Sequence, residues 1–255
     1  TTTTWHKNGR KESEVICRSG KLNGPHTRWH ENGQKSFEGV VRNGEYHGST
    51  KGYYENGQMR YLAEWHSLPQ ASVTLSGGYH YGGRGGNPDG TNISWHKNGQ
   101  KKRVSTYKKG KLISRTIWHE NGQKSQEGIW EDGKQNGLWM EWYEDGQKSY
   151  EGTWEEGKKN GLYTDWHKNG QRRSKSTYKD GEVHGLWTGW HENGQKALQG
   201  TFKDDAKDGL FTGWHKNGKQ KLQATYVNGE ARLERYWNSK SEEGETWDEA
   251  EGKPR

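Results

Sequence analysis

A chain of 255 residues is long enough for one large domain or two ordinary ones, yet only 25% of it is hydrophobic, too little for a thick aliphatic core. Its net charge of +7 comes from 40 Lys and Arg interspersed with 33 Asp and Glu, which reads as a mixed-sign solvated surface and disfavours a nucleic-acid stripe. The single cysteine, Cys17, excludes an intramolecular disulfide and a cysteine-based zinc site, and no run approaches the roughly 20 apolar residues that span a bilayer.

Such polarity would favour disorder but for 15 Trp and 13 Tyr, because each ring can bury about 150–250 Å² and so hold a thin structure together. The chain opens on Thr1 to Thr4 with no Met, compatible with a processed or trimmed form and with export. A block Trp-His-x-Asn-Gly then begins at Trp5, Trp29, Trp95, Trp118, Trp166, Trp190 and Trp214, with variants at Tyr53 and Trp142. The blocks recur every 24 residues, apart from intervals of 42 after Tyr53 and 23 after Trp95. Their glycines are Gly9, Gly33, Gly57, Gly99, Gly122, Gly146, Gly170, Gly194 and Gly218. Asn-Gly and Asp-Gly mark tight hairpin turns, since both residues accept positive φ.

Twelve residues after each block start comes a second aromatic column: Trp65, Tyr107, Trp130, Trp154, Tyr178, Phe202 and Tyr226, with Cys17 and Val41 in the first two repeats. A second glycine-marked turn follows it. Each repeat therefore predicts two strands and two turns, and the two aromatic columns are the expected repeat core. Leu138, Met140 and Trp142 share their parity with Tyr150, Gly152 and Trp154, so a three-residue loop, Glu144-Asp145-Gly146, is expected to keep both sets on one face. No segment carries a sustained 3.6-residue apolar stripe. The expected fold is all-β, tandem hairpins of period 24 stacked into an elongated, twisted or curved antiparallel, solenoid-like sheet.

Between the blocks at Tyr53 and Trp95, residues 67–94 are rich in Gly, Ser and Pro and read as a degenerate repeat or an inserted surface loop. Its glycines lack the Gly-Lys-Ser/Thr ending of a phosphate-binding loop. Trp237 keeps nearly the repeat phase without the following turn, as terminal repeats do. From Ser239 onward six acidic residues outnumber three basic ones. The expected organisation is repeats over 1–66, the Gly-rich segment 67–94, repeats over 95–238 and an acidic polar tail, 239–255.

The unit Trp142-Tyr-Glu-Asp-Gly-Gln-Lys, Tyr150-Glu-Gly-Thr-Trp, Glu156-Gly-Lys-Lys-Asn-Gly-Leu-Tyr resembles the MORN-repeat variant, whose bacterial members are often labelled antitoxin components. Over residues 5–66 and 95–237 the resemblance implies stacked β-hairpins. It also implies scaffolding, dimerisation or contact with acidic phospholipids, and it brings no active-site residues.

The histidines following the aromatic, at His6, His30, His96, His119, His167, His191 and His215, point to the face opposite those rings. Successive ones should lie about 9–10 Å apart, too far to share one metal ion, so no metal site or cofactor is expected. They read as solvated or stacking groups, with His119, His167, His191 and His215 as a candidate binding face. Lys11, Lys35, Lys101, Lys124, Lys148, Arg172 and Lys196 form a basic column, followed three residues later by Glu14, Glu38, Glu127 and Glu151. Parity reveals no unbalanced basic face, which weakens the acidic-membrane reading. Repetition argues against an enzyme, because an active site is one unrepeated constellation.

The expected function is a non-catalytic scaffold binding a protein partner, with antitoxin or immunity as the named version. A self-assembling filament built by end-to-end addition of copies competes with it. The compartment, secreted or cytoplasmic, stays undetermined. Asn92-Ile-Ser94 and Thr1 to Thr4 could carry sugar in a secreted protein.

Overall fold

The computed structural model describes residues 1–66 and 87–244, so most of the Gly-rich segment and residues 245–255 of the tail lie outside the described residues. The chain divides into two compact units, Thr1–Gly133 and Lys134–Arg255. Among the described residues there is no helix, and within each unit every strand pairs antiparallel with its neighbours. The expected all-β tandem hairpins are therefore what the chain forms.

In the first unit the strands Thr2–Trp5, Lys11–Arg18, Lys21–Trp29, Lys35–Arg42, Glu45–Tyr53 and Met59–His66 pair in order. Gly90–Trp95 then pairs with Met59–His66, and Lys101–Lys108, Lys111–Trp118 and Lys124–Glu131 continue the sheet. Elsewhere a two-residue turn separates such partners, as Asn43-Gly44 separates Arg42 from Glu45. Here the equivalent partners are His66 and Asn87. Residues 67–86 thus replace two turn residues, and the 42-residue interval is one ordinary repeat lengthened by 18.

The second unit runs Lys134–Trp142, Lys148–Glu155, Lys158–Trp166, Arg172–Lys179, Gly185–Trp190, Lys196–Lys203, Gly209–Trp214, Gln220–Val227 and Glu230–Trp237, with the two-residue strands Glu182–Val183 and Ala206–Lys207 leading into two of these. One repeat explains the rest. Lys134–Trp142 joins Lys148–Glu155 through Glu144-Asp145-Gly146, closed by Tyr143 N–H donating to the Gln147 carbonyl at 2.9 Å. Lys148–Glu155 then joins Lys158–Trp166 through Glu156-Gly157, whose φ values of 47° and 83° are those of a type I′ turn. The N–H of Gly157 also donates to the carbonyl of Gln135, one repeat back, so this turn is tied to its predecessor.

The three-residue loop forms as expected, but the two apolar sets do not share a face. Trp142 pairs with Lys148 and Glu141 with Tyr150, leaving Ser149 as a one-residue bulge. A one-residue slip turns every later side chain over. Leu138 therefore faces Thr153, and Trp139 faces Gly152. The Trp142 column lies on what we call the outer face, and the Trp154 column on the inner one.

The inner face carries the core. In the first unit Phe37, Val41 and Tyr46 are buried, with Leu22, Tyr61 and Trp65 packed against them. In the second, Tyr163 and Phe211 are 2% and 1% exposed. Their column, Trp139, Tyr163, Trp187 and Phe211, has the same 24-residue period. It is matched across the strands by Gly152, Ser176, Gly200 and Ala224, small residues over which the large rings lie. Ring centroids of Tyr163 and Tyr178 are 4.6 Å apart, and those of Phe211 and Tyr226 are 5.2 Å apart, both edge-to-face. Expected burial fails for Trp5, which is 58% exposed because Thr2–Trp5 has a neighbour on one side only in the structure.

Candidate functional site

Three surfaces of the repeat could do chemistry: the inner face, the row of three-residue turns and the outer face. At the turns, all nine block glycines adopt φ between 80° and 88°, a region open to residues without a Cβ. The asparagine before the glycine, Asp145 in one repeat, bonds its own loop, as Asn169 Oδ1 does by accepting the Gln171 N–H at 3.0 Å. Its amide then reaches the next loop, where Asn169 Nδ2 donates to the Glu192 carbonyl at 2.6 Å.

The histidines complete this arrangement. His167, His191 and His215 set Nε2 at 3.0, 2.9 and 2.8 Å from the backbone carbonyls of Trp190, Trp214 and Trp237. His6, His30 and His96 make the same bond to Trp29, Tyr53 and Trp118. Where the repeat has tyrosine instead, the phenol does it: Tyr54 and Tyr143 O–H donate to the carbonyls of Trp95 and Trp166. The ring is thus a donor of fixed reach that fastens one turn to the next, and in the candidate face His167, His191 and His215 are half-buried clamps, with His119 half-buried beside its own turn. Among the described residues no three His, Cys, Asp or Glu gather into a metal-binding group.

This role predicts a specific substitution pattern. His191→Ala, by leaving the Trp214 carbonyl without its donor, should destabilise the second unit by about 1–2 kcal/mol. His191→Tyr should recover most of that, since Tyr143 makes the same bond. Urea midpoints at unchanged m-value check both, and equal losses would contradict the clamp.

The inner face is closed by its own rings and holds one shifted imidazole. His26, 3% exposed, lies between Ser13 Oγ at 3.2 Å and Tyr46 O–H at 3.1 Å. Burial, aided by the Arg28 charge, brings its pKa down to about 4, so the ring is neutral at pH 7. On the other face, hydrogen bonds from Lys35 and Tyr53, supported by Lys51, hold Glu38 down to about 2. In the second unit burial raises the Tyr150 phenol well above its usual range.

The outer face carries three parallel rows in each unit. Trp and basic residues alternate in the first, as Trp166 opposite Arg172 and Trp190 opposite Lys196. Lys11 Nζ lies 5.8 Å from the Trp29 ring and Lys196 Nζ 5.7 Å from that of Trp214. Because of the bulge, the residue three after the lysine returns to the same face. Lys11–Glu14, Lys35–Glu38 and Lys124–Glu127 are consequently ion pairs at 3.0, 2.9 and 2.9 Å. Being exposed, each contributes less than about 1 kcal/mol. The third row is apolar: Leu138, Leu162, Leu186, Leu210 and Leu233 are 40–54% exposed.

The basic column was legible, and so was the absence of Glu after Arg172 and Lys196. The leucine row and the Trp139 column were missed, although both recur with the period in the Gly-Leu-aromatic string. In the second unit the face proves unbalanced, contrary to the parity argument, because that argument did not include the bulge.

Tandem antiparallel hairpins of about two dozen residues, tied turn to turn, define a class of all-β repeat protein. Within it, residues 46–66, 88–109, 135–156, 159–180 and 183–204 match the family described as "MORN repeat variant". No curated protein matches the chain. Among solved structures, "Crystal Structure of TcdB2-TccC3-Cdc42" aligns at 10% identity over 99% of this chain and 16% of that one, with a TM-score of 0.22. "Crystal Structure of TcdB2-TccC3-TEV" aligns at 10% identity over 94% and 12%, with a TM-score of 0.18. The chain thus spans only 16% of the first of these, and likeness at this level conveys no function.

Proposed function

We propose that the protein is a non-catalytic MORN-type scaffold that binds another protein through its outer face. The observation that carries this is the leucine row, five exposed aliphatic side chains in an otherwise polar chain, Leu138, Leu162, Leu186 and Leu210 recurring every 24 residues and Leu233 following after 23. A regular row of exposed aliphatic side chains on one face is the kind of surface that marks a contact with another molecule. In the antitoxin or immunity version, suggested by the resemblance alone, the partner is a toxin. The repeat blocks of 1–66 and 95–238 then act together, the strand Gly90–Trp95 pairing with Met59–His66, and 239–255 act as a tail.

The test uses the full chain, tagged and immobilised, against lysate of cells that naturally make it. One partner should be retained at fixed stoichiometry, and Leu162→Asp with Leu186→Asp should abolish retention while circular dichroism stays unchanged. No retained partner, or one indifferent to the leucines, counts against the reading.

A further inference from the structure

The outer face is not uniform. Up to Lys148–Glu155 the second row repeatedly places a carboxylate beside the lysine: Glu14, Glu38, Glu127 and Glu151 all pair in this way. From Arg172 onward the same position holds Lys175, Gln199 and Gln223. Across the strands from Lys158–Trp166 to Glu230–Trp237 the register gives the rows in full. They are Trp166, Arg172, Trp190, Lys196, Trp214, Gln220, Trp237; Thr164, Lys175, Thr188, Gln199, Thr212, Gln223, Arg235; and Leu162, Thr177, Leu186, Thr201, Leu210, Thr225, Leu233. Four cations stand there without an Asp or Glu, and Arg172, Lys175 and Arg235 make no ion pair among the described residues.

At Arg172 the ladder also opens. Lys11 and Lys196 lie over the next indole, but beside Arg172 there is a groove of about 360 Å³ between Trp166 and Trp190, floored by Gly170, Gln171 and Gly194. Arg172 is among the residues lining it, and a guanidinium pairs best, in a two-pronged way, with a carboxylate. Parallel to it, Leu162, Leu186 and Leu210 are 51%, 54% and 52% exposed. Successive leucines are two strands apart, about 9.6 Å. A helix laid across the strands returns the same face every seven residues, about 10.5 Å, whereas an extended segment has no matching period.

We infer that this face binds an acidic amphipathic helix, its apolar residues on Leu162, Leu186 and Leu210 and its carboxylates on Arg172, Lys175 and Lys196. The inference rests on the protein-binding reading and adds the partner's chemistry to it.

The test is a titration of the full chain with a fluorescent peptide of about four Leu/Glu heptads, beside a scrambled peptide of the same composition and vesicles rich in acidic phospholipid. The heptad peptide should bind, weaken as salt rises, and bind at least tenfold more weakly to Arg172→Glu with Lys196→Glu. Arg172→Gln, a milder change, should give a smaller loss if the double variant misfolds. Lys11→Glu, in a row where the cation is already paired, should leave binding within twofold. Absence of binding, equal binding of the scrambled peptide, indifference to the charge reversals, or binding of vesicles without the peptide would each overturn it. A natural partner still retained by Arg172→Glu with Lys196→Glu also overturns it, while leaving the protein-binding reading in place.

Discussion

Phe211→Ala is expected to destabilise the second unit by about 3–5 kcal/mol, and Gly200→Ala by about 1–3 kcal/mol or more, for opposite reasons at one contact. Phe211 is 1% exposed and touches the rings of Phe202 and Tyr226 at 5.3 and 5.2 Å, so truncation leaves a cavity. Gly200 lies under the same ring. A Cβ built there would come within 2.3 Å of Phe211 Cδ1, and a buried ring flanked by two others has nowhere to move. The two changes should therefore be strongly non-additive: in the Phe211→Ala background, Gly200→Ala fills vacated space and should cost little or nothing. A four-member urea cycle measures this. If the two losses simply add, the close packing of ring on glycine is not what holds these strands together. Against a usual domain stability of about 5–15 kcal/mol, Phe211→Ala alone should remove a large share.

The second expected result concerns acid. His26 titrates near the ordinary imidazole value of 6.5 when unfolded and at about 4 when folded, so between those values the unfolded chain binds a proton that the folded one does not. Stability then rises with pH across this window. The contribution of the neutral, buried ring is fully present above pH 6.5 and is lost as pH falls through about 4, to an extent on the order of 3 kcal/mol. Glu38, held down to about 2 from 4.5, acts lower: its contribution is present above pH 4.5 and is lost as pH falls towards 2. The two effects are separable. His26→Gln, which cannot titrate, should flatten the slope of first-unit stability between pH 6.5 and 4 and leave the decline below 4.5. Denaturation midpoints followed at several pH values decide it, and an unchanged slope in the variant would assign the effect elsewhere. Arg28 shares the face with His26 and opposes protonation, so the slope should shrink if Arg28 is neutralised.

The bulge after the three-residue loop links these structural effects to function. With Ser149 inserted, each repeat has rings on both sides: one column turned to the core, the other half-buried beside cations on the outer face. A sheet with both faces aromatic yet only one closed leaves the other available to a partner. The histidine clamps hold that open face in register without drawing on any side chain that a partner would touch.

Much of this was determined by the sequence alone. The 24-residue period, two strands and two turns per repeat, the left-handed glycines and the absence of helix all follow from residue spacing and from φ angles that only a few residue types accept. These are local properties, settled within a few bonds. The tertiary structure alone decided on which face each column lies, because a single unpaired residue inverts every later side chain and no sequence parity records it. It likewise decided that the histidines clamp neighbouring turns, that Trp139, Tyr163, Trp187 and Phe211 turn to the core opposite small partners, and that His66 pairs with Asn87. Each of those is a contact between different strands, and it exists only once the strands stand side by side.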